Sequence, residues 1–134
     1  MDDNHIDLHR REEGAKVRRE VLGSAYADNP KKDDPFYSHF MDFTVDHCWG
    51  NVWLRPGLEL KTRSMLNIAM LASMARWHEL AVHTRGALNN GCTEKEIAEI
   101  LLQAGVYAGV PVASEAFRTC LPVIEAWRKE QDAK

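Results

Sequence analysis

The stretch of residues 63–91, RSMLNIAMLASMARWHELAVHTRGALNNG, contains the longest apolar run of the chain and decides our interpretation of the fold. A single helix over residues 61–90 would be about 45 Å long, since an α-helix rises 1.5 Å per residue. A domain of this size has a radius of gyration of only about 14 Å. We therefore predict a break near residues 75–77, between a buried helix at about 60–74 and a second helix at about 77–89 that Gly91 closes.

The second of these helices carries a pair of ionisable residues. Glu79 and His83 are four residues apart, so a helix places them on one face, one turn from each other. Their apolar neighbours predict a largely buried helix, in which a carboxylate needs a partner. The residues alone favour a structural pair that holds two helices together. The alternative is a proton relay, in which Glu79 orients His83 and raises its pKa so that the imidazole exchanges a proton near neutral pH.

The rest of the chain also follows helical spacing, and no segment shows the sustained alternation of a strand. We predict an all-α fold: a single-domain bundle of about six helices spanning residues 1–134, with loose ends at 1–8 and 130–134. The predicted features outside the central stretch are a helix at 8–22 that Gly23 ends, a loop at 27–35, an aromatic-faced helix at 36–48, a helix that a capping box at Thr93 and Glu96 starts, and a last helix that Pro122 kinks.

The segment 49–57, WGNVWLRPG, interrupts the helical pattern. Pro56 restricts the residue before it to an extended conformation, and the two glycines permit tight turns. Two tryptophans and an arginine are unusual in a plain connector. Either this loop places Trp53 and Arg55 at the rim of a cavity, or the tryptophan side chains fill the core; the sequence favours neither alternative.

Four arginines in the central part of the chain are candidates for binding an anionic substrate. The planar guanidinium group can donate to both oxygens of a carboxylate. Each of these residues has the alternative of pairing with an aspartate or glutamate of the protein. The candidates are Arg55, Arg63, Arg76 and Arg85.

Composition excludes several classes of protein. The net charge of −3 argues against nucleic acid or an anionic membrane as the partner, because both require a basic face. No apolar run approaches the roughly 20 residues of a spanning helix, and we expect a cytoplasmic protein. The three cysteines form no C-x-x-C motif, and Val82 occupies the place of the second histidine of H-E-x-x-H, so we predict no metal site.

Several short motifs occur in an order that is similar to that of a known family. They are W-G-x-V-W-x-R-P-G-L at 49–58, T-R-S at 62–64, E-L-x-x-H-x-R-G-A at 79–87, N-G at 90–91 and Y-x-G-V-P at 107–111. Over about residues 14–117 the chain resembles the carboxymuconolactone decarboxylase family, and within it the γ-carboxymuconolactone decarboxylase branch.

The resemblance implies an all-α fold related to alkylhydroperoxidase D and a ring-like homo-oligomer, a hexamer or a trimer. The peroxidase branch of this fold uses a C-x-x-C motif followed by a histidine. When that histidine is placed on His83, Arg76 and Glu79 stand where the two cysteines would be. The thiol chemistry of that branch therefore does not carry over to this chain.

The resemblance further implies decarboxylation of a small anionic lactone without a cofactor, since the conjugated lactone accepts the electrons that the leaving CO2 releases. His83, held by Glu79, is then the candidate acid that reprotonates carbon. Arg55 and Arg85 are candidates for the substrate carboxylates and the oxyanion, with Trp53 closing the pocket.

Asn51 departs from the family pattern, which favours an acidic residue after Trp-Gly, and this leaves the specificity open. The alternatives are a relative that acts on another lactone or keto acid, a peroxidase-like protein, and a non-enzymatic oligomeric protein.

Overall fold

The computed structural model describes residues 8–134, and within this range every regular element is a helix. The all-α prediction is confirmed. The elements are α1 (Leu8–Leu22), α2 (Ser24–Ala27), a 3₁₀-helix (Pro30–Asp33), α3 (Tyr37–Thr44), a π-helix (Val45–Val52), α4 (Leu60–Ser73), α5 (Trp77–Asn89), α6 (Glu94–Ala108) and α7 (Val110–Asp132). The predicted number of about six is too low, because a short helix precedes the loop that was predicted at 27–35.

The described chain divides into two compact units, one ending at Leu58 and the other formed by Glu59–Lys134. The prediction of one domain over residues 1–134 stays a prediction. Each unit has packing of its own and is described by itself.

In the first unit, α1 packs against the π-helix through two glycines. A Cβ atom on Gly14 would lie 2.5 Å from the backbone nitrogen of Gly50, and one on Gly50 would lie 2.8 Å from the carbonyl oxygen of Arg10. The helices approach this closely only because neither glycine has a side chain. Beside the crossing, Arg11 donates from Nε and Nη2 to the two carboxylate oxygens of Asp46, at 2.7 and 2.5 Å.

The π-helix corrects the boundary of the irregular segment that was predicted at 49–57. Helical structure continues from α3 through Val52, so Trp49 and Gly50 are helical and buried. Hydrogen bonds from residue i to i+5 follow from local packing and carry no residue signature in the sequence. The irregular part is therefore shorter than expected and lies between the π-helix and α4.

In the second unit, α4 and α5 form a helical hairpin joined by residues 74–76. Ala75 adopts a positive φ of 57°, which ends the run of helical hydrogen bonds. The predicted break is confirmed, and the bounds of α5 match the prediction. Both helices pack with α6 and α7 around one apolar core. Its fully buried members include Ile68, Leu80 and Ile97.

Two predicted ends of helices are confirmed and one is wrong. The capping box at Thr93 is present, with its hydroxyl accepting from the amide of Glu96 at 3.1 Å and the carboxylate of Glu96 accepting in return at 3.0 Å. Helix α1 also ends before Gly23 as predicted. The C-terminus is not loose from residue 130, because α7 continues through Pro122 to Asp132. The predicted loose N-terminus, 1–8, falls outside the described residues except for Leu8.

None of the helices within residues 8–134 combines the length and the apolar character needed to cross a membrane.

Candidate functional site

The side chain of His83 lies half-buried where α5 packs against α4. The Nδ2 atom of Asn67 on α4 lies 3.3 Å from the Nδ1 atom of this imidazole. An amide NH2 group donates and does not accept, so in this arrangement Asn67 donates to Nδ1. The neutral ring then carries its proton on Nε2.

Burial lowers the pKa of His83 from 6.5 to about 4, and the nearby negative charge of Glu79 opposes the shift without cancelling it. In the proton-relay alternative, Glu79 raises this pKa toward neutrality. The charge of Glu79 does act in that direction, but the net shift is downward, because the loss of water around the ring outweighs the attraction of a carboxylate that water screens. His83 is consequently uncharged at neutral pH.

Glu79 is exposed, in contrast to the largely buried helix that its apolar neighbours indicated. Helix α5 turns Leu80, Thr84 and Leu88 into the core. Because successive helical residues are rotated by about 100°, Glu79 lies beside this buried face and remains in water. The expectation of a buried Glu79–His83 pair therefore fails for the carboxylate, although its charge still acts on the imidazole.

Arg85 is engaged with α7. Its guanidinium group forms an ion pair with Glu130, with Nη2 2.8 Å from Oε2, and lies over the ring of Trp127 at 4.9 Å. Its Nε also donates to Oδ1 of Asn89 at 3.2 Å. An anionic substrate that binds Arg85 must compete with Glu130 for the same group.

The two other candidate arginines of the second unit differ in their surroundings. Arg63 lies on α4 one turn before Asn67, and its Nε is buried. Residues four apart share a helix face, so Arg63 and Asn67 lie on the same side of α4. Arg76 is exposed at the N-terminal end of α5.

Trp53 and Arg55 belong to the first unit. Trp53 is buried and stacks on Trp49, with ring centroids 4.5 Å apart and planes inclined by 22°. Of the two alternatives for this segment, the structure supports tryptophans that fill a core. Arg55 is exposed. The neighbouring Asn51 accepts a hydrogen bond on its amide oxygen from Nη2 of Arg10, at 3.0 Å.

Three cavities have linings within single units. The largest, about 660 Å³, lies between α4 and α6, and residues such as Met65, Leu66 and Ile100 line it. The other two measure about 260 and 170 Å³. Neither His83 nor Glu79 lines any of these three cavities.

The structure thus brings together His83, Asn67 and the charge of Glu79, and it turns Arg85 toward α7. Sequence reasoning missed Asn67. Its signal was available, because Asn67 is the one polar residue in the apolar run 65–72, and a polar group in such a run requires a partner. Among the side chains of residues 10–134, no group of three or more His, Cys, Asp or Glu could hold a metal ion.

Comparisons with known proteins find similarity over most of the chain. The sequence model of the carboxymuconolactone decarboxylase family matches residues 38–119. The chain is 46% identical over 118 residues to a nitrosuccinic acid decarboxylase of Metarhizium robertsii, covering 86% of this chain and 82% of that protein.

It is also 39% identical over 111 residues to the 4-carboxymuconolactone decarboxylase of Acinetobacter baylyi, covering 82% of this chain and 83% of that protein. An uncharacterized 15.0 kDa protein of Paracoccus denitrificans is 34% identical over 74 residues, about half of each chain. The chain therefore belongs to the carboxymuconolactone decarboxylase family.

Proposed function

We propose that this protein is a decarboxylase that removes CO2 from a small polycarboxylic acid without a cofactor. The observation that carries the proposal is its similarity to two decarboxylases over more than four-fifths of each chain. The half-buried imidazole of His83 between α4 and α5 supplies a polar group suited to this chemistry.

The reaction breaks the bond between a carboxylate carbon and its neighbouring carbon. The electron pair of that bond moves into an adjacent electron-withdrawing group, CO2 leaves, and a proton from solvent adds to the carbon. In γ-carboxymuconolactone, the electrons pass through the ring double bond to the lactone carbonyl. In nitrosuccinic acid, they pass directly into the nitro group and give a nitronate. Both intermediates place negative charge on oxygen, which a hydrogen-bond donor stabilises.

His83 is the donor that we assign to this oxygen. A neutral imidazole with its proton on Nε2 can donate a hydrogen bond to the developing oxyanion without first taking up a proton. The sequence suggested an imidazolium acid, but a pKa of about 4 leaves very little imidazolium at neutral pH. A neutral donor supplies stabilisation only as charge develops, which favours the transition state over the substrate.

The substrate carboxylates require cations. In the second unit, the candidates are Arg63, on the same face of α4 as Asn67, the exposed Arg76, and Arg85. Arg85 binds an anion only by exchanging Glu130, so its contribution depends on that exchange. Arg55 and Trp53 stay candidates from the sequence. The charge of Glu79 raises the pKa of His83 and so opposes the effect of burial.

Two substrates follow from the comparisons. The sequence motifs favour γ-carboxymuconolactone, which would be converted to the enol-lactone of β-ketoadipate in aromatic catabolism. The higher identity, 46% against 39%, favours nitrosuccinic acid, which would give 3-nitropropanoate. Asn51 stands where the motif favours an acidic residue, which is consistent with a substrate other than the lactone.

The test is to incubate the purified protein with each acid separately and to measure CO2 and the organic product. We expect one equivalent of CO2 per equivalent of substrate consumed, from one acid much faster than from the other, and no dependence on added metal. Heat-denatured protein is the control for spontaneous loss of CO2. Absence of protein-dependent CO2 release from both acids would contradict the proposed function.

A further inference from the structure

The side-chain amide of Asn67 is the polar group that meets the inner nitrogen of His83. The hairpin that Ala75 closes brings α4 and α5 side by side and places the two residues opposite each other, with Nδ2 and Nδ1 3.3 Å apart. Asn67 lies between apolar neighbours on α4, which includes the buried Ile68. An amide in such surroundings is stabilised by a specific partner, and the imidazole is that partner.

The chemistry of the two groups fixes where the ring proton lies. The NH2 group of an amide has hydrogens and no acceptor lone pair, so Nδ1 of His83 must accept. An imidazolium has a proton on Nδ1 as well, and that proton would point at the amide hydrogens. The contact is therefore compatible with only one of the three forms of the ring, the neutral form protonated on Nε2.

We propose that Asn67 is a positioning residue, whose amide holds the imidazole of His83 uncharged and directs its single N–H, on Nε2, away from α4. This inference rests on the proposed function for its meaning, because that N–H is the donor assigned to the oxyanion. The arrangement of the two side chains is independent of the substrate.

The helices of this unit carry several charged groups, of which Glu79 acts on the ring. On α5 itself, Glu79 favours the imidazolium. On α4, Arg63 lies one turn before Asn67, and burial of the ring opposes its positive form. On α7, Glu130 is paired with Arg85. Asn67 and burial both favour the neutral ring, whereas Glu79 favours the protonated ring. Replacing Asn67 by a hydrogen-bond acceptor is therefore expected to favour the protonated ring.

The test is nitrogen NMR of the imidazoles in protein that carries ¹⁵N-labelled histidine, recorded from pH 3.5 to 8. The His83 signals are assigned as those missing from His83→Gln. In the wild type, we expect Nδ1 to be the unprotonated nitrogen and the ring to titrate below pH 5. In Asn67→Asp, a carboxylate faces Nδ1; we expect the proton on Nδ1 and a midpoint higher by at least about one unit.

Asn67→Leu keeps a similar side-chain volume and removes the hydrogen-bond donor. This variant provides the test if Asn67→Asp does not fold. Its midpoint should rise by roughly half a unit, since one neutral hydrogen bond to the uncharged ring is lost. Asn90→Ala is the matched control. The amide of Asn90 also bridges α5 and α4, donating to the hydroxyl of Ser64 at 2.9 Å, but it does not touch His83. This variant should keep the wild-type tautomer and midpoint.

Three results would overturn the proposal: a wild-type ring protonated on Nδ1, midpoints in both Asn67 variants equal to that of the wild type, or the same shift in Asn90→Ala. The experiment needs no substrate. If neither candidate acid is decarboxylated while the tautomer is as expected, the proposed function fails and the role of Asn67 stands. If turnover is found, kcat/KM at pH 7.5 should fall in Asn67→Asp, because its neutral ring carries the proton on Nδ1 and has no N–H on Nε2 to donate, but it should not fall in Asn90→Ala.

Discussion

The side chain of His83 lies where loss of water around the ring opposes protonation more strongly than Glu79 favours it. An uncharged imidazole is a hydrogen-bond donor and acceptor at neutral pH, and it is a poor acid. The charge of the ring therefore separates two mechanisms, a neutral imidazole that donates a hydrogen bond and an imidazolium that acts as an acid. Both are compatible with the motif E-L-x-x-H at 79–83. Residue-scale measurements can therefore distinguish them.

The pH dependence of kcat/KM reports the ionisation of the free protein. If neutral His83 is the active form, kcat/KM should stay within about twofold between pH 6 and pH 8, where the ring does not titrate. An imidazolium acid predicts a fall of tenfold per pH unit above its pKa. Such a fall over this range in the wild type would exclude the neutral donor.

The stability of the protein should depend on the same ionisation. The pKa of His83 is about 4 in the folded chain and 6.5 in the reference state, so the unfolded chain binds the proton more tightly. The contribution of the neutral ring to the free energy of unfolding is complete above pH 6.5. It is lost as the pH falls toward and through 4, and the loss is about 3 kcal/mol at pH 4.

Chemical denaturation at pH 7 and pH 4 checks this linkage. The free energy of unfolding of His83→Gln should change less between the two pH values than that of the wild type, by about this amount. His78→Gln, on the exposed side of the same helix, should behave as the wild type. If the free energy of unfolding depends on pH equally in His83→Gln and the wild type, the pKa of His83 is not lowered in the folded protein.

At the scale of the elements, the helices of the second unit follow from the sequence and those of the first unit follow only in part. The capping box at Thr93 and the charge after residue 75 are local signals, and they correctly locate α6 and the start of α5. The π-helix has no such signal. The exposure of Glu79 was also not predictable, because the apolar neighbours do not determine which of two adjacent helix faces is covered.

The crossing of α1 and the π-helix depends on the absence of two side chains. In Gly14→Ala, the new methyl group would lie within 2.6 Å of the backbone of Gly50, so the helices must separate. We expect the free energy of unfolding to fall by about 1–3 kcal/mol, measured by urea denaturation. Gly50→Ala, which meets two carbonyl oxygens at 2.8 Å, should have a similar effect.

Gly57→Ala is the control for these substitutions, since no atom lies within 4 Å of its Cβ position. Its stability should remain within about 0.5 kcal/mol of the wild type. A Gly14→Ala protein as stable as Gly57→Ala would contradict the close approach of the two helices.

At the scale of the whole molecule, the predicted self-association stays a prediction, and the surface of the second unit suggests where it would occur. Val106, Tyr107 and Val110, around the junction of α6 and α7, are each about 80% exposed. Contiguous apolar side chains on this scale are typical of surfaces that associate. A second copy of the chain is the partner that the family resemblance implies, in a trimer or hexamer.

Light scattering coupled to size-exclusion chromatography tests this prediction. The wild type should elute as a homo-oligomer, and Val106→Glu should shift the distribution toward smaller species, because a charge in an apolar interface is costly. Lys95→Glu, a charge change on the exposed side of α6, is the control and should leave the mass unchanged. A monomeric wild type would contradict the prediction.

CO2 release at pH 7.5 tests directly whether a neutral His83 assists the loss of CO2 from a polycarboxylic acid. The comparison is between the wild type, His83→Gln and His78→Gln, with whichever candidate acid is consumed. We expect a 10²–10³-fold lower kcat in His83→Gln, as for loss of one oxyanion donor, and near-wild-type turnover in His78→Gln. Turnover by His83→Gln equal to that of the wild type would contradict it.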